Sequence, residues 1–216
     1  MKKFMVVIFC LICFCVNAYA ENLFSLSFAH QRLNRKFATE QYDNEFKYKE
    51  NGVDFTGYFF KNHYDKYGFY CDLPVLFLDE YTFNSSKNGN DEVVDRVDDS
   101  DDFDKYFSVR PGFGLALRTR FNKDFSLIGG VGGVFTMQSI SQDSTDWTIL
   151  AFGGSVHAAL LYHIDTSIYL QAGVTGGLDF WGHLTTKKSS DKETKTLNDF
   201  SQVYIRPYIG IGIVRG

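Results

Sequence analysis

The sequence predicts an all-β protein: an eight-stranded antiparallel up-and-down transmembrane β-barrel, preceded by a cleaved signal-peptide helix. Three observations lead there. An N-terminal leader marks export. The chain after it alternates with period two and nowhere sustains the 3.6-residue spacing of a helix. Its connections alternate between short and long in strict order.

The leader comes first. Lys2 and Lys3 precede an apolar run from Phe4 to Val16, and Ala18-Tyr19-Ala20 places small residues at −3 and −1 of a cut before Glu21. The run falls short of the roughly 20 residues that a membrane helix needs. Residues 1–20 are therefore read as a signal peptide and 21–216 as the barrel. Three of the four cysteines (Cys10, Cys13, Cys15) lie in the leader. Cys13 and Cys15 follow Ile12 and Phe14, not the small residue usual before a lipidated cysteine. Only Cys71 remains in the mature part, so an exported chain forms no internal disulfide. The chain holds 26 acidic against 22 basic residues and no basic stripe, which argues against a nucleic-acid partner. Aromatic residues make up 17% and glycine is frequent, a composition suited to a transmembrane barrel.

Strands are expected at about 22–33, 46–60, 68–83 and 125–140, where alternation is weaker, and at 106–121, 148–165, 168–183 and from Val203 to Ile213, where it is clear. From Tyr106 to Phe121, Phe107, Val109, Phe113, Leu115 and Leu117 share one face, and Ser108, Arg110, Gly112, Gly114, Ala116 and Arg118 the other. Thr148–Asp165 opposes Leu150, Phe152, Val156 and Leu160 to Gly153, Ser155, His157 and Ala159. Ile168–His183 opposes Leu170, Val174, Leu178 and Phe180 to Gly173, Thr175, Gly177 and Asp179. The last strand sets Ile205, Pro207, Ile209 and Ile211 against Arg206, Tyr208 and Gly210. The apolar face is continuous and uncharged. The other is small, with a few Arg and His, and fits a crowded narrow lumen better than it fits bulk water. An arginine at the lipid midplane would cost about 2–4 kcal/mol, so the apolar face is placed outward.

Connections at 61–67, Asn122-Lys123-Asp124 and Asp165-Thr166 are short; segments 34–45, 84–105, 141–147 and 184–200 are long. An even barrel with short periplasmic turns and long external loops requires that order, and closure leaves no open edge in lipid.

Val109-Arg110-Pro111-Gly112-Phe113-Gly114-Leu115 echoes Ile205-Arg206-Pro207-Tyr208-Ile209-Gly210-Ile211. Strands four and eight lie on opposite walls, so Arg110 and Arg206 are expected to face each other across the upper lumen. Pro111 and Pro207 should mark bulges or breaks in pairing. Buried arginines need partners. If the last hairpin pairs symmetrically about its loop, Asp179 falls opposite Arg206, and Asp72 lies near Arg118. The expected lumen network is Arg110, Arg118, Arg206, Asp72 and Asp179, with His157 and Tyr208 nearby.

These residues resemble the opacity-like and OmpX-like small outer-membrane barrels. Asp72-Leu73-Pro74-Val75-Leu76-Phe77 is similar to the third strand of that group, and Val109–Leu117 to its glycine-rich fourth strand. The Phe-, Lys- and Asn-rich style also resembles spirochaete outer-membrane barrels. The resemblance spans the mature chain as a pattern and implies architecture and an outer-membrane location. Such barrels usually end in an aromatic residue, where this chain reads Ile213-Val214-Arg215-Gly216.

Candidate chemistry is sparse. Ser155, His157 and Asp179 permit a nucleophile–base–orienter reading without an oxyanion hole; hydrophilic filling is the reading preferred, and no catalysis is expected. The segment with Asp91, Glu92, Asp95, Asp98, Asp99, Asp101, Asp102 and Asp104 is read as a solvated external loop, because its spacing does not match a calcium loop. No cofactor or metal is expected. The favoured role is a monomeric barrel in outer-membrane lipid whose loops 34–45, 84–105 and 184–200 meet extracellular or host molecules. The alternatives are a narrow pore or carrier for small solutes and, less favoured, a lipid-modifying barrel enzyme.

Overall fold

The computed structural model describes residues 21–38, 42–87, 96–99, 104–142, 144–188 and 191–215. The leader, with its expected cleavage site, lies outside the described residues. Among the described residues eleven strands follow in order: β1 (Glu21–Ala38), β2 (Tyr42–Phe60), β3 (Tyr67–Lys87), β4 (Arg96–Asp99), β5 (Lys105–Val109), β6 (Gly112–Arg120), β7 (Phe125–Gln142), β8 (Thr145–His163), β9 (Ile168–Lys188), β10 (Asp191–Thr196) and β11 (Asn198–Arg215).

They form one antiparallel ring of eight staves. β1 pairs with β2, β2 with β3, and β3 with β5 and β6, which act as one interrupted stave. That stave pairs with β7, β7 with β8, β8 with β9, β9 with β11, and β11 closes on β1. β4 and β10 are short additions that pair with β3 and β9 at the end opposite the short turns.

The faces follow the alternation. Phe28, Phe113, Leu115, Val156, Phe180 and Ile209 lie outward and exposed, while Ser108, Arg110, Ala116, Arg118, His157 and Arg206 are buried inside. An all-apolar outer belt around a polar interior inverts the arrangement of a water-soluble barrel and fits a bilayer. Glycines inside make room for ring side chains. A Cβ on Gly130 would sit 2.8 Å from the ring of Tyr70, and one on Gly173 would collide with the Tyr208 hydroxyl.

The predicted 106–121 strand is interrupted at Arg110-Pro111. Pro111 lacks the N–H that a ladder needs. Val75 faces Val109 and Asp72 faces Gly112, so pairing breaks without a change of register. Pro207 acts alike: β1 and β11 pair at Ala29↔Tyr208 and resume at Arg32↔Ile205.

Several segments predicted as loops are partly strand. β1 and β2 pair out to Ala38 and Asp43, β7 and β8 out to Gln142 and Thr145, and β9 and β10 out to Lys188 and Asp191. Strands such as β3 and β9, with 21 residues each, far exceed the roughly 9–11 needed to cross lipid, so the sheet projects beyond it. The opposite end is tight. The Asn122 Oδ1 accepts from Asp124 N at 2.8 Å and Phe125 N at 2.9 Å. The Asp165 Oδ1 does the same for Ser167 N at 2.6 Å and Ile168 N at 2.8 Å. These are side-chain-closed turns of the kind Asn and Asp favour.

Candidate functional site

The inward faces of all eight staves stack polar and aromatic layers along the lumen. At the short-turn end Arg118 lies over the Phe60 ring, 3.9 Å from its centroid. Its guanidinium donates to Glu21 at 2.9 Å and to the carbonyls of Asn62, His63 and Asp65 at 3.2, 2.9 and 3.1 Å. Arg120 adds a second contact to Glu21 at 3.0 Å. The first short turn is thereby tied across the barrel bottom. This corrects the expected Asp72–Arg118 proximity. Asp72 faces Gly112, six residues along β6 from Arg118, and the carboxylate that pairs with Arg118 is that of Glu21.

Midway, the His157 ring is sandwiched between Tyr70 and Tyr208, with centroids 5.2 and 5.7 Å away and planes tilted by 14° and 13°. Its Nε2 is 2.5 Å from the Tyr58 hydroxyl and its Nδ1 is 3.1 Å from Thr175 Oγ1. Ser155 pairs instead with the Tyr70 hydroxyl at 3.1 Å. Ser155, His157 and Asp179 therefore each have other partners and are not assembled as a triad.

Above this layer, Arg206 is fully buried between two carboxylates. Its Nε is 3.0 Å from Asp54, and one terminal nitrogen donates to Asp72. Asp179 does not oppose it: Arg206 faces Thr175, and Asp179 faces Gln202. The reason is the β9–β10 pairing, which shifts the hairpin axis toward the start of the expected loop 184–200. Asp179 accepts instead from Thr136 at 2.8 Å and Gln202 at 2.5 Å. Arg110 reaches across the lumen from the β5–β6 break to the opposite wall, where its guanidinium lies 4.5 Å from the Tyr204 ring centroid on β11. It is fully buried, and its three nitrogens have no hydrogen-bond partner among the described residues.

A further layer escaped the sequence reading. Arg35 Nε donates to Gln202 at 2.7 Å, and its terminal nitrogens to Gln138 at 2.5 Å and to the Tyr48 hydroxyl at 3.3 Å. Gln138 donates on to the Tyr106 hydroxyl, which donates to Glu50 at 2.6 Å; Gln31 also donates to Glu50. The inner face of β2 alternates without a break through Tyr48, Glu50, Asp54 and Tyr58, because the residue left out of the β2–β3 pairing at Lys49/Glu50 is Asp79 on β3. Asp54 and Glu21 had only the weak pattern of the N-terminal strands to signal them.

Of the acidic segment, Asp98 and Asp99 lie on β4 opposite Tyr81 and Glu80, and Asp104 is exposed just before β5. Asp91, Glu92, Asp95, Asp101 and Asp102 lie outside the described residues.

No family model and no curated protein sequence matches the chain. Solved structures do. The outer membrane protein OprG from Pseudomonas aeruginosa is 11% identical over 91% of this chain and 96% of its own, with a TM-score of 0.59. Ail, the attachment invasion locus protein of Yersinia pestis, is 13% identical over 91% and 99%, with a TM-score of 0.50. The outer membrane protease OmpT from Escherichia coli is 8% identical over 90% and 96%, with a TM-score of 0.50. The chain thus has the fold of the small bacterial outer-membrane barrels, and the bacterial outer membrane is the location that fold and apolar belt indicate. The spirochaete part of the resemblance finds no support among these neighbours. The expectation of a non-catalytic protein is corrected. A protease shares this architecture, so the barrel does not exclude an enzyme, and at 8% identity it does not establish one.

Proposed function

We propose that the protein is a loop-presenting barrel of the outer membrane, matured by removal of residues 1–20, that meets extracellular or host molecules through its external end. The carrying observation is the asymmetry of the two ends. The periplasmic turns are short and closed by Asn122, Asp165 and Arg118, while β1–β2, β3–β4, β7–β8 and β9–β10 extend far past the lipid belt. A lumen crossed by Arg118, His157, Arg206 and Arg35 leaves little open path, as expected of eight staves. Ail, named for attachment and invasion, is a fold-level analogy only. The test deletes residues 88–95 and 189–190 separately, with N-terminal sequencing to show that the mature chain starts at Glu21. Loss of cell-surface partner binding with unchanged heat-modifiable gel mobility supports the reading. Binding that survives both deletions, and removal of residues 39–41 as well, sinks it.

A second reading, a narrow path for small solutes, draws on buried polar atoms without a hydrogen-bond partner among the described residues: the Arg110 nitrogens, Asp72 Oδ1 and Asp179 Oδ1. Such atoms attract internal water. Single-channel recordings with pure protein in planar bilayers decide it, and silent bilayers reject the pore.

A further inference from the structure

Above the closed lumen, the barrel mouth holds a cavity of about 350 Å³. Its two walls differ in chemistry. β1–β3 supply aromatic rings: Phe37 and Phe46 stack at 5.7 Å between centroids, and Phe46 meets Phe83 at 4.5 Å. β7–β9 supply Ile140, Ile149 and Leu184, with Trp147 beside them. All are inward-facing, so the cavity belongs to the mouth and not to the lipid face. Its volume suits a small molecule; binding pockets for such ligands start at about 300 Å³.

The charged group in the cavity lining is Arg35, which is itself fully buried; Gln142, Tyr48 and Tyr81 are its neutral polar neighbours there. Its hydrogen-bond partners, Gln202, Gln138 and Tyr48, are all neutral. They occupy three of the five N–H groups that a guanidinium carries. Among the described residues no carboxylate lies within ion-pair distance of it; Asp179 is reached through Gln202, and Glu50 through Gln138 and Tyr106. A buried cation held by neutral groups alone is an incomplete arrangement, which a bound anion would complete.

We propose that the mouth binds a small monocarboxylate with an apolar body, its carboxylate on Arg35 and its body between the aromatic and aliphatic walls. Charge selects the acid over a neutral isostere. Size excludes a folded peptide segment. This site is independent of the loop-partner reading, since it needs none of the deleted segments.

Trp147 supplies the readout. The other tryptophan, Trp181, lies on the outer face at 45% exposure, so a Trp181→Phe protein reports from the cavity alone. The full chain is folded into lipid nanodiscs and titrated with 4-bromobenzoate, a heavy-atom quencher, and with the neutral 4-bromobenzamide. Saturable quenching is expected, with the acid at least tenfold tighter than the amide. A Trp147→Phe protein, reporting from Trp181, should show only weak, non-saturating quenching from partition into the bilayer. Arg35→Gln should abolish the preference for the acid. The acid–amide comparison on the unmodified Arg35 site stands even if that variant fails to fold. Non-saturable quenching of Trp147 overturns the proposal. Equal affinities for acid and amide, or a preference that survives Arg35→Gln, overturn it as well.

Discussion

Arg206 sits at the point where single residues matter most. It is fully buried, and Asp54 and Asp72 approach it from β2 and β3. Gly112 faces Asp72, and a Cβ there would collide with the carboxylate, so the absence of a side chain leaves room for the ion pair. Removing one partner of a buried pair leaves an uncompensated charge and costs about 3–5 kcal/mol. Arg206→Met should lose about that much in urea unfolding followed by gel mobility, and adding Asp54→Asn and Asp72→Asn should recover most of it. A single Arg206→Met protein as stable as the parent would refute the pair's role. A different regime holds at the external rim. The Asn34 side-chain amide bonds Glu45 at 2.9 Å, and Lys36 and Lys47 lie at 3.3 and 3.5 Å. The Asn34 hydrogen bond first, then the two lysines, hold its carboxyl down at about 2 against an ordinary 4.5. A carboxylate depressed on folding stabilises the folded state above the unfolded value and loses that contribution as the pH falls through the folded one. The contribution should therefore fade between about pH 4.5 and 2, and Glu45→Gln should flatten acid sensitivity in that window. Solvent screening makes the effect small at this exposed site, so paired pH titrations of the unfolding midpoint are the suitable measurement.

Within each strand, glycine and tyrosine act together. Tyr70 lies against Gly114 and Gly130 on the neighbouring staves, and this position brings its ring flat against His157. Gly130→Val would push Tyr70 off that ring. Overpacking of this kind typically costs about 1–3 kcal/mol, and the loss should appear as an earlier unfolding midpoint, with Gly129→Val as the milder control because a Cβ there meets nothing closer than 4.0 Å. Equal effects at the two positions would argue against the packing account. Period-two alternation made these inner faces legible from Tyr106 onward, because strands β6 to β9 and β11 keep one face apolar over most of their length. It also made the proline breaks legible, since a missing N–H is a property of the residue itself. Pairing partners were less legible. Asp179 was set opposite Arg206 by assuming a symmetric hairpin, whereas the extension of β9 by β10 fixes the register at Asp179↔Gln202. Arg35 falls in the segment 34–45 expected as a loop, and beside Glu50 the outward Lys47 and Lys49 are as polar as the inner face, so alternation has no apolar side there to mark. Register depends on how far strands pair beyond the membrane, and side-chain alternation alone does not carry that distance.

At the scale of the whole barrel, orientation follows from the difference between its ends. The three turns at one end are short, with Asn62, Asn122 and Asp165 oxygens accepting backbone N–H groups two or three residues on. The other end carries paired strands well beyond the apolar belt, and with them Asp98, Asp99 and Asp104. Transmembrane barrels place short turns in the periplasm and long connections outside. The charge distribution agrees, because a highly charged segment strongly favours water over lipid. An epitope inserted after Lys188 should therefore be reached by antibody on intact cells, and one inserted after Lys123 only once the outer membrane is made permeable. Heat-modifiable gel mobility of both proteins shows that each barrel has closed, so a missing signal cannot be blamed on failed folding. Detection of the Lys123 epitope on intact cells would invert the barrel. The mouth cavity over Arg35 would then open to the periplasm, and any carboxylate it holds would have to be sought there.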